Sequence, residues 1–289
     1  MIVFNYFLTA IIWVISIMPF WILYGISDLM YVIFYYIVGY RKKVVYTNLR
    51  NSFPEKSEKE INKIAHKFYH NLCDLFLEVI KVKTVSQKKL VKRISFKNME
   101  IVDRLYNEGR SVMAILGHIG NWEWVGVNAQ YFFRHKPFAV VKPLSSKFWE
   151  DYITRLRYSF GKEGLIPFKQ TLRVLVKNKN HVFLTLIAAD QTPTKSEIEY
   201  WTTFLNQETP VFLGTEKIAK ALNMAVLFFN IQRPKRGHYE IEISVLAENP
   251  KDTAENEITE MHVHALEKAI IAHPDNWLWS HRRWKHKKE

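Results

Sequence analysis

Three features of this 289-residue chain predict an α/β fold: a mixed, largely parallel central sheet with helices on both faces, plus an N-terminal membrane-anchor helix. Short apolar runs alternate with helical segments from residue 99 onward, the pattern of strands interleaved with covering helices. The run Ser111 to Leu116 is apolar at nearly every position, as strands buried on both faces are. Residues 1–40 contain no lysine or arginine and a single acid, Asp28.

Phe4 to Tyr24 supplies about the twenty apolar positions needed to cross a hydrocarbon core. Leu29 to Tyr40 is a shorter apolar run with three placements open: closing a hairpin, lying at the interface, or packing on the soluble domain. The absence of a basic leading segment and of a small-residue cleavage site argues against a cleavable signal peptide. Arg41, Lys42 and Lys43 follow, and the positive-inside tendency places the rest of the chain in the cytoplasm. The expected division is an anchor over residues 1–40 and one domain over residues 41–289.

Ser57-Glu-Lys-Glu60 has the form of a capping box and opens an amphipathic helix whose buried stripe is Ile61, Ile64, Phe68, Leu72, Leu75, Phe76 and Val79. Strands are expected at Val112–Leu116, Pro137–Val141, Val182–Ala188, Ala225–Ile231 and Tyr239–Leu246. Helices are expected at Met99–Asn107, Trp122–Phe133, Ser146–Phe160, Leu172–Asn178, Thr215–Leu222 and Ala254–Ala272. The final strand alternates Tyr239, Ile241, Ile243 and Val245 with polar residues, so it has one wet face and lies nearer an edge. Pro193–Ser196 and Pro234–Gly237 read as surface loops.

The formal net charge is +13, with basic clusters at Lys88, Lys89, Lys92 and Arg93 and in the tail from His281 to Lys288. That charge suits anionic lipid headgroups and an acidic protein partner. No nucleic-acid-binding motif accompanies it, so nucleic acid is not the expected partner. The single cysteine, Cys73, excludes an internal disulfide and lies in an apolar helical pattern that reads as core. There is no Walker sequence, no complete dinucleotide-binding glycine pattern and no metal-ligand spacing, so neither cofactor nor metal is expected.

The chemistry is concentrated in Leu116-Gly-His118-Ile-Gly-Asn121-Trp-Glu123-Trp124. His118 sits at the carboxyl end of a predicted strand, where ligands of open α/β sheets bind. Asn121 is placed to cap the next helix, and Glu123 falls in its first turn, where a negative charge is favoured. An imidazole with a carboxylate on its far nitrogen is a general base in a fixed tautomer. No serine or cysteine stands beside the pair, so it implies direct deprotonation of an acceptor hydroxyl. Backbone amides around Gly120, Asn121 and Trp122 are candidate oxyanion donors.

Gly117-His118-Ile-Gly-Asn-Trp-Glu123 resembles the His-x4-Asp/Glu signature of the lysophospholipid acyltransferase superfamily, in its lipid A biosynthesis (lauroyl/myristoyl) acyltransferase branch. Further segments resemble that branch in the same order, from about residue 1 to residue 285: Tyr40 to Pro54, Val141-Lys142-Pro143-Leu144, Arg155-Leu-Arg157 with Phe160-Gly161, Ala189-Asp190-Gln191, and Pro274 to Lys285. Lys142 stands where an arginine is common, and the block after Asp190 lacks glycine, departures that bear on the acceptor more than on the reaction. The resemblance implies a membrane-bound O-acyltransferase at the cytoplasmic face of a bacterial inner membrane, with acyl carrier protein as donor and a lipid A precursor as acceptor. It implies catalytic roles for His118, Glu123 and Arg155; Arg155 and Arg157, two apart on a helix, face different ways, so one of the two is expected to act, and Arg155 is preferred. Lys142, Arg157 and Gln191 would touch substrate, Asp190, again at the carboxyl end of a strand, would fix acceptor hydroxyls or a basic residue, and Arg282 and Arg283, between tryptophans, would bind lipid phosphate. Three rivals stay open. One is an acyltransferase for another glycolipid, phospholipid or amino-acid lipid; the second is a non-catalytic membrane scaffold. The third, a metal hydrolase, is disfavoured because His262 and His264 are two apart on one helix.

Overall fold

The computed structural model describes residues 2–144, 146–158 and 164–288. Its helices are α1 (Ile2–Ile17), α2 (Phe20–Val32), α3 (Lys42–Ser52), α4 (Glu58–Lys81), α5 (Gln87–Val91), α6 (Met99–Asn107), α7 (Trp122–Phe132), α8 (Lys147–Tyr158), α9 (Thr171–Lys177), α10 (Gly214–Leu222) and α11 (Glu257–Ala272). Its strands are β1 (Ile94–Lys97), β2 (Val112–Leu116), β3 (Lys136–Val141), β4 (Leu165–Pro167), β5 (Phe183–Ala188), β6 (Tyr200–Phe204), β7 (Gln207–Val211), β8 (Ala225–Lys235) and β9 (His238–Ala247).

Seven strands form one sheet in the order β1-β9-β8-β2-β5-β3-β4, and every pairing is parallel except β8 with β9. The mixed, largely parallel sheet is thus as expected, and the alternation along β2 shows why both faces are covered. Val112, Ala114 and Leu116 enter one core with α6, α7 and α8, whereas Met113 and Ile115 enter another with α9, α10 and α11. A third core joins α3, α4 and the C-terminal tryptophans. The Ser57–Glu60 capping box forms as the spacing predicts, with Ser57 N–H donating to Glu60 at 2.9 Å. One stripe residue departs: Phe76 is 42% exposed.

Other departures have local causes. β1 and β4, of four and three residues, are too short to carry a periodic pattern. β6 and β7 form a separate antiparallel hairpin turned at Leu205 and Asn206, both in the left-handed region. Pro234 and Lys235 belong to β8, so the expected loop contracts to a tight turn at Arg236 and Gly237. β9 lies one strand in from the edge because β1 pairs outside it.

The apolar run Phe4–Tyr24 does not form one span. It breaks at Met18–Pro19, where proline has no amide to continue the ladder. The helix long and apolar enough to cross a membrane is instead Phe20–Ile37, in which α2 continues as a π-helical turn.

Candidate active site

Parallel register builds the site. Leu116 of β2 lies opposite Ala188 of β5. His118 and Asp190, each two residues beyond its strand, therefore emerge side by side at the carboxyl edge of the sheet. His118 Nδ1 meets Asp190 Oδ1 at 2.5 Å, and the His118 backbone amide donates to Oδ2 at 2.8 Å. The indole of Trp277 donates to the same Oδ2 at 2.7 Å. The carboxylate is held by three donors and has no freedom to turn away. A Cβ at Gly117 would lie 2.6 Å from Leu266 Cδ1, so a side chain there would make Leu266 shift. Gly120 adopts φ +56, which turns the chain from the strand into α7.

This corrects the expected orienting partner: Asp190, not Glu123, sits on Nδ1. Glu123 is in the first turn of α7 as expected, but Arg157 of α8 takes both its oxygens, at 3.0 and 2.5 Å. A planar guanidinium matches a carboxylate bidentately, which an imidazole cannot do. Glu123 and Arg157 remain electrostatic neighbours of His118 and act on it in opposite senses. Burial disfavours a charged His118, but the Asp190 carboxylate and its hydrogen bond outweigh that and raise the imidazole above its ordinary pKa. Burial also opposes ionisation of Asp190, yet the imidazole and the other donors hold it well below the usual carboxylate range.

With Asp190 accepting at Nδ1, the neutral ring presents a lone pair at Nε2. The Gln191 side-chain nitrogen lies 3.1 Å from Nε2, so the predicted substrate contact stands where an incoming hydroxyl would donate. The His118 side chain is 17% exposed, enough to be reached.

The remaining candidates separate sharply. Arg155 is exposed on the opposite face of α8 from Arg157, and of the two it is Arg157 that the fold brings beside His118. Asn121 is 0% exposed. It caps α7 by accepting from Trp124 N–H at 3.0 Å and donates to Glu78 at 2.8 Å, which removes it from substrate contact. The Gly120 amide is spent on Asn276 O, leaving it no oxyanion role. Trp122 packs edge-on against the His118 ring. Lys142 follows β3 on the exposed surface, close enough to Glu197 to stabilise its carboxylate. Arg282 is exposed, but Arg283 is buried and donates to Pro210 O at 2.9 Å, so it cannot bind lipid phosphate. Trp279, one of the two tryptophans flanking these arginines, is buried in the core, as is Trp277. The Phe160–Gly161 part of the expected arginine-helix motif lies outside the described residues.

Two contributors went unrecognised as site residues. Trp277 was legible only as part of the closing motif, and its indole now proves to be an Asp190 ligand. Glu78 gave a weak signal, an acid inside the apolar run Leu75-Phe-Leu-Glu-Val-Ile80. It lies behind the His118 turn, accepting from Asn121, from Tyr239 at 2.6 Å and from Tyr24 at 2.9 Å.

Two kinds of space meet near His118. One is a cleft of about 100 Å³ walled by Leu116, Val127, Phe138, Val140 and Leu186, with Trp122, Glu123 and Arg157 also lining it. The other is a small cavity of about 20 Å³ lined by His118, Trp122, Asn71 and Arg233. It shares Asn71, Arg233, Asp275 and Asn276 with an open basin of about 430 Å³ that Lys67, Lys235 and Arg236 also line. Among the described residues, no three histidine, cysteine or carboxylate side chains converge to hold a metal ion.

Over residues 1–286 the chain matches the family model described as bacterial lipid A biosynthesis acyltransferase. No curated protein matches it.

Proposed function

Because the chain belongs to the bacterial lipid A biosynthesis acyltransferase family, we propose that it transfers a fatty acyl chain from acyl carrier protein to a hydroxyl of a lipid A precursor at the cytoplasmic face of the inner membrane. The observation that carries the mechanism is the His118–Asp190 hydrogen bond, which leaves Nε2 as an accessible base. His118 Nε2 takes the acceptor proton as the hydroxyl oxygen attacks the thioester carbonyl. The carbon–sulfur bond then breaks, and the imidazolium returns the proton to the departing thiolate. Asp190 balances the imidazolium charge and fixes the ring.

The developing oxyanion needs donors. The first amides of α7, at Trp122 and Glu123, are helix-start groups without intrahelical acceptors and are assigned this role. Glu123 is reassigned from orienting the base to holding Arg157, whose charge lies close enough to influence the imidazole. The apolar cleft takes the donor's acyl chain. The acceptor approaches from the wet side, where Lys67 and Lys235 line the basin and suit an anionic lipid, Arg233 and Arg236 there being paired with Asp74.

The test is acyl transfer by the purified chain from a panel of acyl-acyl carrier proteins to lipid A precursors and other lipid alcohols. Wild type is expected to acylate the lipid A precursor preferentially, with His118→Ala slower by about 10³-fold, within the range of general-base catalysis, and with its melting transition intact. Equal turnover of wild type and His118→Ala would exclude the base assignment.

A further inference from the structure

The N-terminal helices carry a pattern that a membrane-crossing segment does not. In α2 the buried residues are Leu23, Ser27 and Tyr31, and Tyr35 follows on the π-helical turn, a single stripe at four-residue spacing. That stripe runs antiparallel along α4. Tyr24 bonds Glu78 at 2.9 Å, Asp28 faces His70 at 3.7 Å, Tyr31 bonds His66 at 2.5 Å, and the Tyr35 ring packs on Tyr69 at 5.2 Å. Asp28 is also paired with Arg236 of the sheet hairpin at 2.7 Å. α1 is docked as well: Ile12 and Ser16 are buried, and Lys81 donates to the carbonyls of Ser16 and Met18 at 2.7 Å each.

A helix held along its whole length by α4 cannot enter the hydrocarbon without taking α4 with it. The outer face of α4 carries exposed Lys59, Lys63 and Lys67, and placing such charges at bilayer depth costs about 3 kcal/mol each. The faces of α1 and α2 turned away from the protein are the reverse of that: Phe7 is 64% exposed, Ile17 51%, Trp21 75%, Leu29 62% and Ile37 75%. One docked stripe and one apolar aromatic-rich face is the architecture of a helix lying in the membrane plane. The basic run Arg41–Lys43 follows at its edge, complementary to anionic headgroups.

We propose that residues 2–40 form a monotopic two-helix platform that sinks its outer apolar face into one anionic lipid leaflet without crossing the bilayer, so that the N-terminus and the catalytic domain share one side. This goes beyond the anchor expected from hydropathy and does not depend on the acyltransferase reading. It also explains why Tyr24, on α2, reaches the carboxylate that supports the His118 turn: the platform is built into the fold rather than tethered to it.

The test uses the full chain in bacterial membranes. A single cysteine placed before Met1 is challenged with an impermeant maleimide in inverted inner-membrane vesicles and in intact spheroplasts; native Cys73 is buried and stays silent. Labelling at least about tenfold stronger in inverted vesicles is expected. In a separate variant, Asp28→Cys with His70→Cys, a short bis-maleimide is expected to cross-link the helices in the membrane. Labelling from the spheroplast side overturns the proposal, as does failure to cross-link while the protein remains membrane-bound and folded. Release of the protein from vesicles containing phosphatidylglycerol by a salt-free wash also overturns it. None of these readouts involves acyl transfer, so failure here and failure of the proposed reaction are distinguishable.

Discussion

Asp190 and Glu78 support the same turn, Gly117 to Trp124, from opposite sides, and they differ in what they hold. Both are buried, at 4% and 1% exposure. Asp190 faces an imidazole, and its carboxyl is kept ionised far below the ordinary range despite that burial. Glu78 accepts directly from an amide and two phenols, with Arg233 contributing only through space, and burial wins, pushing its carboxyl up. Two carboxyls buried alike are thus pushed in opposite directions, and the partner each one faces, not its burial, sets the sign.

Glu78→Leu strands two buried donors, each costing about 1–3 kcal/mol, and the half-buried Tyr24 hydroxyl, so a loss of about 3 kcal/mol is expected in denaturant unfolding. A midpoint equal to wild type would show that Glu78 is not the scaffold it is taken to be. The shape-conserving Glu78→Gln is expected to lose less stability and to leave the pH dependence of turnover where it was.

Proton transfer sharpens the contrast through pH. A base must be neutral, and Asp190 raises the His118 pKa, so the acid limb of kcat/KM is expected above the ordinary imidazole value of about 6.5. Removing the carboxylate leaves burial as the dominant influence, which favours the neutral ring. The limb measured for Asp190→Asn is therefore expected to move to lower pH, and an unmoved limb would break the pairing. The smallest effect is expected in the apolar cleft. Gly126 lines it, and a Cβ there meets nothing within 4 Å. Gly126→Leu should preserve folding while raising KM for longer acyl donors several-fold relative to shorter ones. Unchanged chain-length preference would remove the cleft from donor binding.

Local patterns in the sequence foretold local structure well. The buried strand before His118, the cap at Asn121, the Ser57–Glu60 box and most helix positions follow from periodicity and capping chemistry, which act within one turn or strand. The His118–Asp190 contact was not legible, because the residues are 72 apart and meet only through the adjacency and register of β2 and β5. The carboxylate nearest to His118 in the chain, Glu123, is instead held by an arginine on a different helix. The same long-range dependence hides the burial of Arg283, which reads as a lipid-phosphate ligand in a basic tail until the hairpin of β6 and β7 is folded over it. The broken helix at Pro19 was written in the chain, but hydropathy summed across it read one span instead of two docked helices.

The central claim is that Asp190, and not Glu123, serves the far nitrogen of the base. Turnover of Asp190→Asn and Glu123→Gln, measured side by side with saturating acyl-acyl carrier protein and lipid A precursor, tests it most directly. Asp190→Asn is expected to fall by about 10³-fold or more, as loss of the carboxylate behind a catalytic histidine does, and Glu123→Gln distinctly less. A Glu123→Gln enzyme crippled beside a nearly normal Asp190→Asn enzyme would contradict it.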